Sequence, residues 1–218
     1  MKTLFALIVL GTVVIVHAQK TYPKIKIHSM ENFSASEKER VKEEMALLET
    51  KVLQNEAFWE RIKTCVYQCT DRRILQSERN KDCPYARLPR DGHHYTSQEV
   101  HDLLFYGDDE IGLPKDGILD LKLRIKKRNK KGSSKGSTSG CVLKISSYRS
   151  KTIRQQKGVY AAHILHEYMH VLGFSHHDQN ARKNRKICEG YDIPYAVGKI
   201  AREFLGLKVV NQRFLCVK

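Results

Sequence analysis

The sequence predicts an α+β fold from three observations: helix-start signals upstream, an alternating strand in the middle, and a long apolar helix near the end. Ser36-Glu37-Lys38-Glu39 reads as a capping box, and Val41, Met45, Leu48 and Val52 follow at helical spacing. A first helix is therefore expected over 36–54. Residues 56–67 read as a second helical piece with Phe58, Trp59 and Ile62 turned toward a core. The polar stretch 71–94, with Cys83-Pro84 and Pro89-Arg90-Asp91-Gly92, reads as a disulfide-tethered loop. Thr96-Ser97-Gln98-Glu99 then opens another capped helix that should stop near Gly107.

Past the Asp116-Gly117 turn the period changes. Leu119, Leu121, Leu123 and Ile125 alternate with Asp120, Lys122, Arg124 and Lys126, the pattern of a half-buried strand with a charged outer face. Residues 127–140 are rich in Gly, Ser and Lys and read as a loop, and 141–147 as a second strand. An apolar helix follows over 158–172, with Ala162, Leu165, Met169 and Leu172 on one face. A last helix is expected over 195–205, burying Val197, Ile200, Ala201 and Phe204 and ending at Gly206. No internal repeat and no long linker is visible, so one domain split by a cleft is expected.

The first eighteen residues are set apart from that domain. Lys2 precedes an apolar run over 4–16, and Val16-His17-Ala18 places small residues at the two cleavage-determining positions. This reads as a secretory signal peptide cut after Ala18, leaving 19–218 as the mature domain, secreted or periplasmic. The apolar run is too short to span a bilayer comfortably and no second one follows, so no membrane span is expected in the mature chain, which is read as a monomer. Six cysteines (Cys65, Cys69, Cys83, Cys141, Cys188, Cys216) in an exported chain favour three disulfides, with a zinc ligated by Cys65, Cys69 and Cys83 as the alternative. The formal charge of +15 is densest over 122–135 and 182–186. Such basic loops should attract anionic surfaces or polymers. No nucleic-acid-binding motif is present, and no nucleic acid is expected as partner.

The chemistry is concentrated in His166-Glu167-Tyr168-Met169-His170-Val171-Leu172-Gly173-Phe174-Ser175-His176. Histidines four apart on a helix share a face, so His166 and His170 can reach one metal ion. Gly173 can turn the chain in a left-handed conformation and bring in His176 as third ligand. Three neutral nitrogens leave a position open on Zn²⁺, the arrangement of a catalytic site, and Glu167 is placed to take a proton from a metal-bound water. His163, one turn earlier, reads as a satisfied or solvent-facing histidine. His177 and Asp178 are candidates to replace His176 or to orient a ligand.

This run resembles the extended signature of the metzincin metalloproteases. The resemblance implies a zincin-like single domain with a twisted mixed sheet and long helices. The active-site helix would lead from an upper subdomain, up to about residue 173, into a small lower one over about 174–218. It also implies a methionine turn beneath the zinc, and here the sequence departs: none of Met1, Met30, Met45 and Met169 lies downstream of His176. Tyr191-Asp192-Ile193-Pro194-Tyr195 stands in its place, with Ile193 as apolar floor and Pro194 setting a turn. Tyr195 and Tyr191 are candidates for transition-state stabilisation, by the same resemblance. No cysteine-containing pro-segment is recognisable, although 19–50 could be removed in maturation. Asn32-Phe33-Ser34 is a glycosylation acceptor in a host that glycosylates.

The expected function is that of a zinc-dependent endopeptidase acting on protein or peptide. Its substrate would be held along a strand edge, for which 141–147 is the expected strand. The alternative is a cationic, disulfide-stabilised exported binding protein or toxin with a structural or degenerate zinc site.

Overall fold

The computed structural model describes residues 21–65, 67, 92–107, 116–126, 136–139, 144–174, 176 and 192–208. The expected leader, Cys69, Cys83, Cys141, Cys188, Cys216, His177, Asp178, Tyr191 and the basic runs 127–135 and 182–186 lie outside the described residues. Among those described, the fold is α+β, with a mixed four-stranded sheet and five α-helices. The strands are β1 (Lys24–Glu31), β2 (Ile118–Lys126), β3 (Gly136–Ser139) and β4 (Lys144–Tyr148). The helices are α1 (Ala35–Leu48), α2 (Glu56–Thr64), α3 (Ser97–Tyr106), α4 (Val159–Val171) and α5 (Ile193–Phe204). No described helix is long and apolar enough to cross a membrane.

The sheet runs β1-β2-β4-β3, with β1, β2 and β4 parallel and β3 antiparallel to β4. Parallel neighbours need a crossover, and α1, α2 and α3 lie in the connection from β1 to β2. As the alternation requires, Leu119, Leu121, Leu123 and Ile125 are buried while Asp120, Lys122, Arg124 and Lys126 stay partly exposed. Two expectations about the sheet are corrected. The loop expected over 127–140 contains β3, and the strand expected as a cleft edge is β4, enclosed between β2 and β3. Among the described residues the sheet has two edge strands, β1 and β3, and β3 is the one beside α4. Four residues of Gly, Ser and Thr carry no alternation of polarity, so β3 left no period to read.

β1 is a further element the sequence does not announce. Lys24-Ile25-Lys26-Ile27 alternates for only four residues before a register shift between Ile27 and Ser29 breaks the period. Within the segment 19–50, β1 pairs with β2 and α1 packs in the core of the full chain.

The helix ends follow their chemistry, with shifts. α1 is capped by Ser34 and Glu37, not by Ser36 and Glu39. Both pairs fit the box; Arg149 decides between them by donating to Glu37 and to the Asn32 carbonyl, fixing the chain just upstream. Beyond Leu48 the helix widens into a π-helical turn, Glu49–Leu53. α2 stops earlier than expected, and Cys65 adopts an extended conformation after it. Cys65 is disulfide-bonded. α3 forms as expected, with Thr96 and Glu99 in a reciprocal box and Gly107 left-handed at φ 65°. A Cβ at Gly107 would lie 2.3 Å from the Ile118 carbonyl oxygen, so only glycine lets α3 end against β2.

α4 is buried along almost its whole circumference, from Tyr160 and Ile164 to Tyr168, Met169 and Val171. Its first turn has no cap of its own, because Gly158 precedes it. The cap comes from α1: the buried Glu44 carboxylate accepts from the Gly158 amide at 2.9 and 3.0 Å and from the Ala161 amide at 3.2 Å. Arg40 approaches the same carboxylate at 3.6 Å. A carboxylate at a helix N-terminus satisfies orphan donors and meets the positive end of the dipole. Glu44→Ala is therefore expected to destabilise the protein by about 2–4 kcal/mol, since it leaves buried amides unpaired, and Glu44→Gln by less. Denaturant unfolding reads this directly; a loss below about 0.5 kcal/mol for the alanine variant would remove the cap from the account.

Candidate metal centre

The helical period sets His166 and His170 side by side, with ring centroids 5.3 Å apart. α4 then ends in a Schellman motif: the Phe174 amide donates to the Met169 carbonyl and the Gly173 amide to the His170 carbonyl, each at 3.0 Å. Gly173 is left-handed at φ 97°, as the sequence predicts. The reversal returns the chain, and the His176 ring lies 4.5 Å from that of His170 and 5.1 Å from that of His166. One ligand atom from each of the three histidines lies within 4.8 Å of the others, close enough to hold a metal ion.

The donor chemistry fits such an ion. His170 Nε2 and His176 Nε2 are 3.1 Å apart. Two nitrogens about 2.0–2.1 Å from a tetrahedral ion would be separated by about 3.3 Å. Each ring is also oriented from behind, which fixes the nitrogen it offers. His170 Nδ1 donates to the Phe174 carbonyl at 2.6 Å, and His176 Nδ1 pairs with Asp192 Oδ2 at 2.8 Å. His166 hydrogen-bonds the Pro194 carbonyl. Burial holds the His166 imidazole well below its ordinary pKa, helped by the neighbouring histidines. Burial, then His176, lowers His170 to about 4. Both rings are neutral at pH 7, the form that ligates.

α5 supplies the other wall. Proline is tolerated in the first helical turn, so Pro194 starts α5 where the sequence places a turn before a helix at 195. Ile193 is buried in the main core, and Asp192, at the N-cap position, uses its carboxylate for His176 and makes no cap of its own. Tyr195 stacks on His176 at 4.4 Å between centroids and 25° between planes, and lies 4.9 Å from the His166 ring. Its phenol is raised by burial and by the Asp192 and Glu167 carboxylates, so it stays protonated near neutral pH. Gly198 faces His166 from the next turn of α5, where a Cβ would lie 2.9 Å from His166 Cβ.

Glu167 is on α4 beside these ligands and is only 5 % exposed. His163 lies one turn earlier, buried and outside the metal-ligating trio. Its Nδ1 stands 3.7 Å from Glu167 Oε1, and its Nε2 shares a 3.0 Å hydrogen bond with Ser147 Oγ on β4. The structure thus brings together His166, His170, His176, Glu167 and Tyr195. Asp192, Gly198 and the His163–Ser147 pair escape the sequence reading. An acid directly before Ile-Pro, and a glycine inside an apolar helical stripe, were the available signals for the first two.

Comparison with protein-family models, curated proteins and solved structures returns no match for this chain.

Two outcomes follow from the ring environments. Asp192→Asn should weaken metal binding by roughly 10–100-fold in a competition titration with the fold intact, and Gly198→Val should do so by displacing His166. An unchanged affinity in both would detach α5 from the centre. The second concerns pH. An imidazole that titrates near 6.5 when unfolded but about 4 when folded leaves the unfolded state with more bound protons between those values. Stability of the metal-free protein should therefore fall as pH drops from about 6.5 toward 4, and replacing His170 with Gln should flatten that slope.

Proposed function

We propose that the protein is a secreted zinc-dependent endopeptidase. The observation that carries this reading is the convergence of three ring-oriented histidines with Glu167 adjoining the first of them on one helix. Three neutral nitrogens with no thiolate among them favour Zn²⁺ over the oxygen-seeking cations. Export rests on the leader pattern over residues 1–18. The metzincin-like signature from His166 to His176 supports the same assignment.

When bound, Zn²⁺ supplies Lewis acidity at the substrate carbonyl and lowers the pKa of attacking water. Glu167 acts as general base, taking the proton of that water on a carboxylate oxygen and handing it to the leaving nitrogen as the peptide bond breaks. His163, itself hydrogen-bonded to Ser147 of β4, brings its Nδ1 to 3.7 Å from this carboxylate on the side of the sheet. Tyr195, protonated and beside two ligand rings, would donate a hydrogen bond to the developing oxyanion. β3 is the sheet edge beside α4 among the described residues, and a Cβ at its Gly136 would lie 2.8 Å from the His163 ring. An extended peptide could add to that edge by main-chain hydrogen bonds, which would set its scissile bond alongside Glu167.

The test compares wild type with Glu167→Ala on a denatured protein substrate, with and without a chelator. Wild type should cleave in a chelator-sensitive manner, and Glu167→Ala should bind the same metal yet lose about 10²–10⁴-fold in rate. Zinc-loaded wild type that leaves the substrate intact would remove the protease reading while leaving the metal centre standing.

A further inference from the structure

The sheet has a second face that the metal centre does not use. β2 turns its apolar residues toward the helices, so Lys122, Arg124 and Lys126 point the other way. The register extends this face across three strands. Lys26 lies opposite Asp120, Lys24 lies at the start of the same row, and Lys122 is paired directly with Lys144 of β4. Lys24 and Lys26 are exposed, and Lys122, Arg124, Lys126 and Lys144 remain partly so. Among the described residues, Asp120 and Glu31 are the carboxylates on this face, and they are engaged by His28 and Lys144. Six cations therefore share one sheet surface with two acids. Like charges on facing strand positions oppose folding, and Lys122 beside Lys144 is such a pair. With Lys144 paired to Glu31 and Asp120 to His28, the face keeps an excess of positive charge that an anion lying across it would offset.

We propose that this outward face of the sheet binds a linear sulfated polysaccharide. Neighbouring strands are about 4.8 Å apart and alternate residues about 6.6 Å apart, so the cations form a continuous field that a chain with closely repeated charges can follow. Five of the six are lysines, which meet anionic oxygens as point charges without fixing their orientation. The face also lacks what other polyanions would use. Among the described residues the exposed large apolar side chains are Tyr106 and Tyr195, neither on the sheet, so no stacking platform for bases and no apolar wedge for a bilayer is present. The net charge of +15 adds long-range attraction. The proposal is independent of the hydrolytic reading, because none of these residues contributes to the metal centre.

The experiment measures affinity of the folded chain for heparin over a range of salt concentrations. The variant Lys24→Gln/Lys26→Gln/Lys122→Gln is set against Lys38→Gln/Lys42→Gln/Lys51→Gln, which removes the same charge from exposed helical positions. The sheet variant should bind on the order of tenfold or more weakly, with the slope of log affinity against log salt reduced by about one per lysine, while the helical variant stays near wild type. If the triple variant shows an altered near-ultraviolet dichroism, Lys24→Gln and Lys122→Gln are measured singly, each with a loss of about one in slope. Desulfated heparin should bind far less. Equal losses from the two triple variants would overturn the proposal, because binding would then follow net charge and not this face. So would single-stranded DNA or anionic vesicles binding as tightly as heparin at the same salt.

Discussion

Everything at the metal centre depends on α4 being held at both ends. A helix buried on nearly every side cannot leave its terminal amides and carbonyls to water, so each end needs a partner from the protein. At the start that partner is the Glu44 carboxylate, reaching from α1 to the Gly158 and Ala161 amides. At the finish it is the Schellman reversal through Gly173. With both ends fixed, the azimuths of His166, Glu167 and His170 are no longer free. The same reversal sends the chain back with His176, so one cap terminates the helix and supplies the third nitrogen.

The centre is then closed by α5. Asp192 and the Pro194 carbonyl each hold a ring of the trio, and Gly198 allows α5 to approach His166 without a collision. No methionine lies downstream of His176, and two rings of the trio are oriented from this side by a carboxylate and a backbone carbonyl. The ligand rings rest on an α5 wall whose first residue, Ile193, is buried in the same core as Met169 and Phe174.

The histidine trio was legible in the sequence because its geometry is local. A spacing of four on a helix and a glycine before the third histidine need no long-range information. The strand at β2 was legible for the same reason, since eight residues, Leu119 to Lys126, alternate without interruption. What the sequence hid depends on partners distant along the chain. Glu44 reads as one more acid on an amphipathic helix until α4 is seen above it, 114 positions away. Two overlapping Ser-x-x-Glu boxes could not be separated before Arg149 was placed beside Glu37. β1 and β3 were hidden by a bulge and by the absence of any apolar period, and those strands decide which edge of the sheet is open.

X-ray absorption at the zinc edge of the zinc-loaded protein tests the centre most directly, because it reads donor identity and bond length together. One zinc per chain, with three nitrogens and one further light atom at about 2.0–2.1 Å, is the result expected of His166, His170 and His176 with an open fourth position. A shell containing sulfur at about 2.3 Å would assign the metal to cysteines, and a chain that takes up no stoichiometric zinc would leave the histidine cluster without its metal.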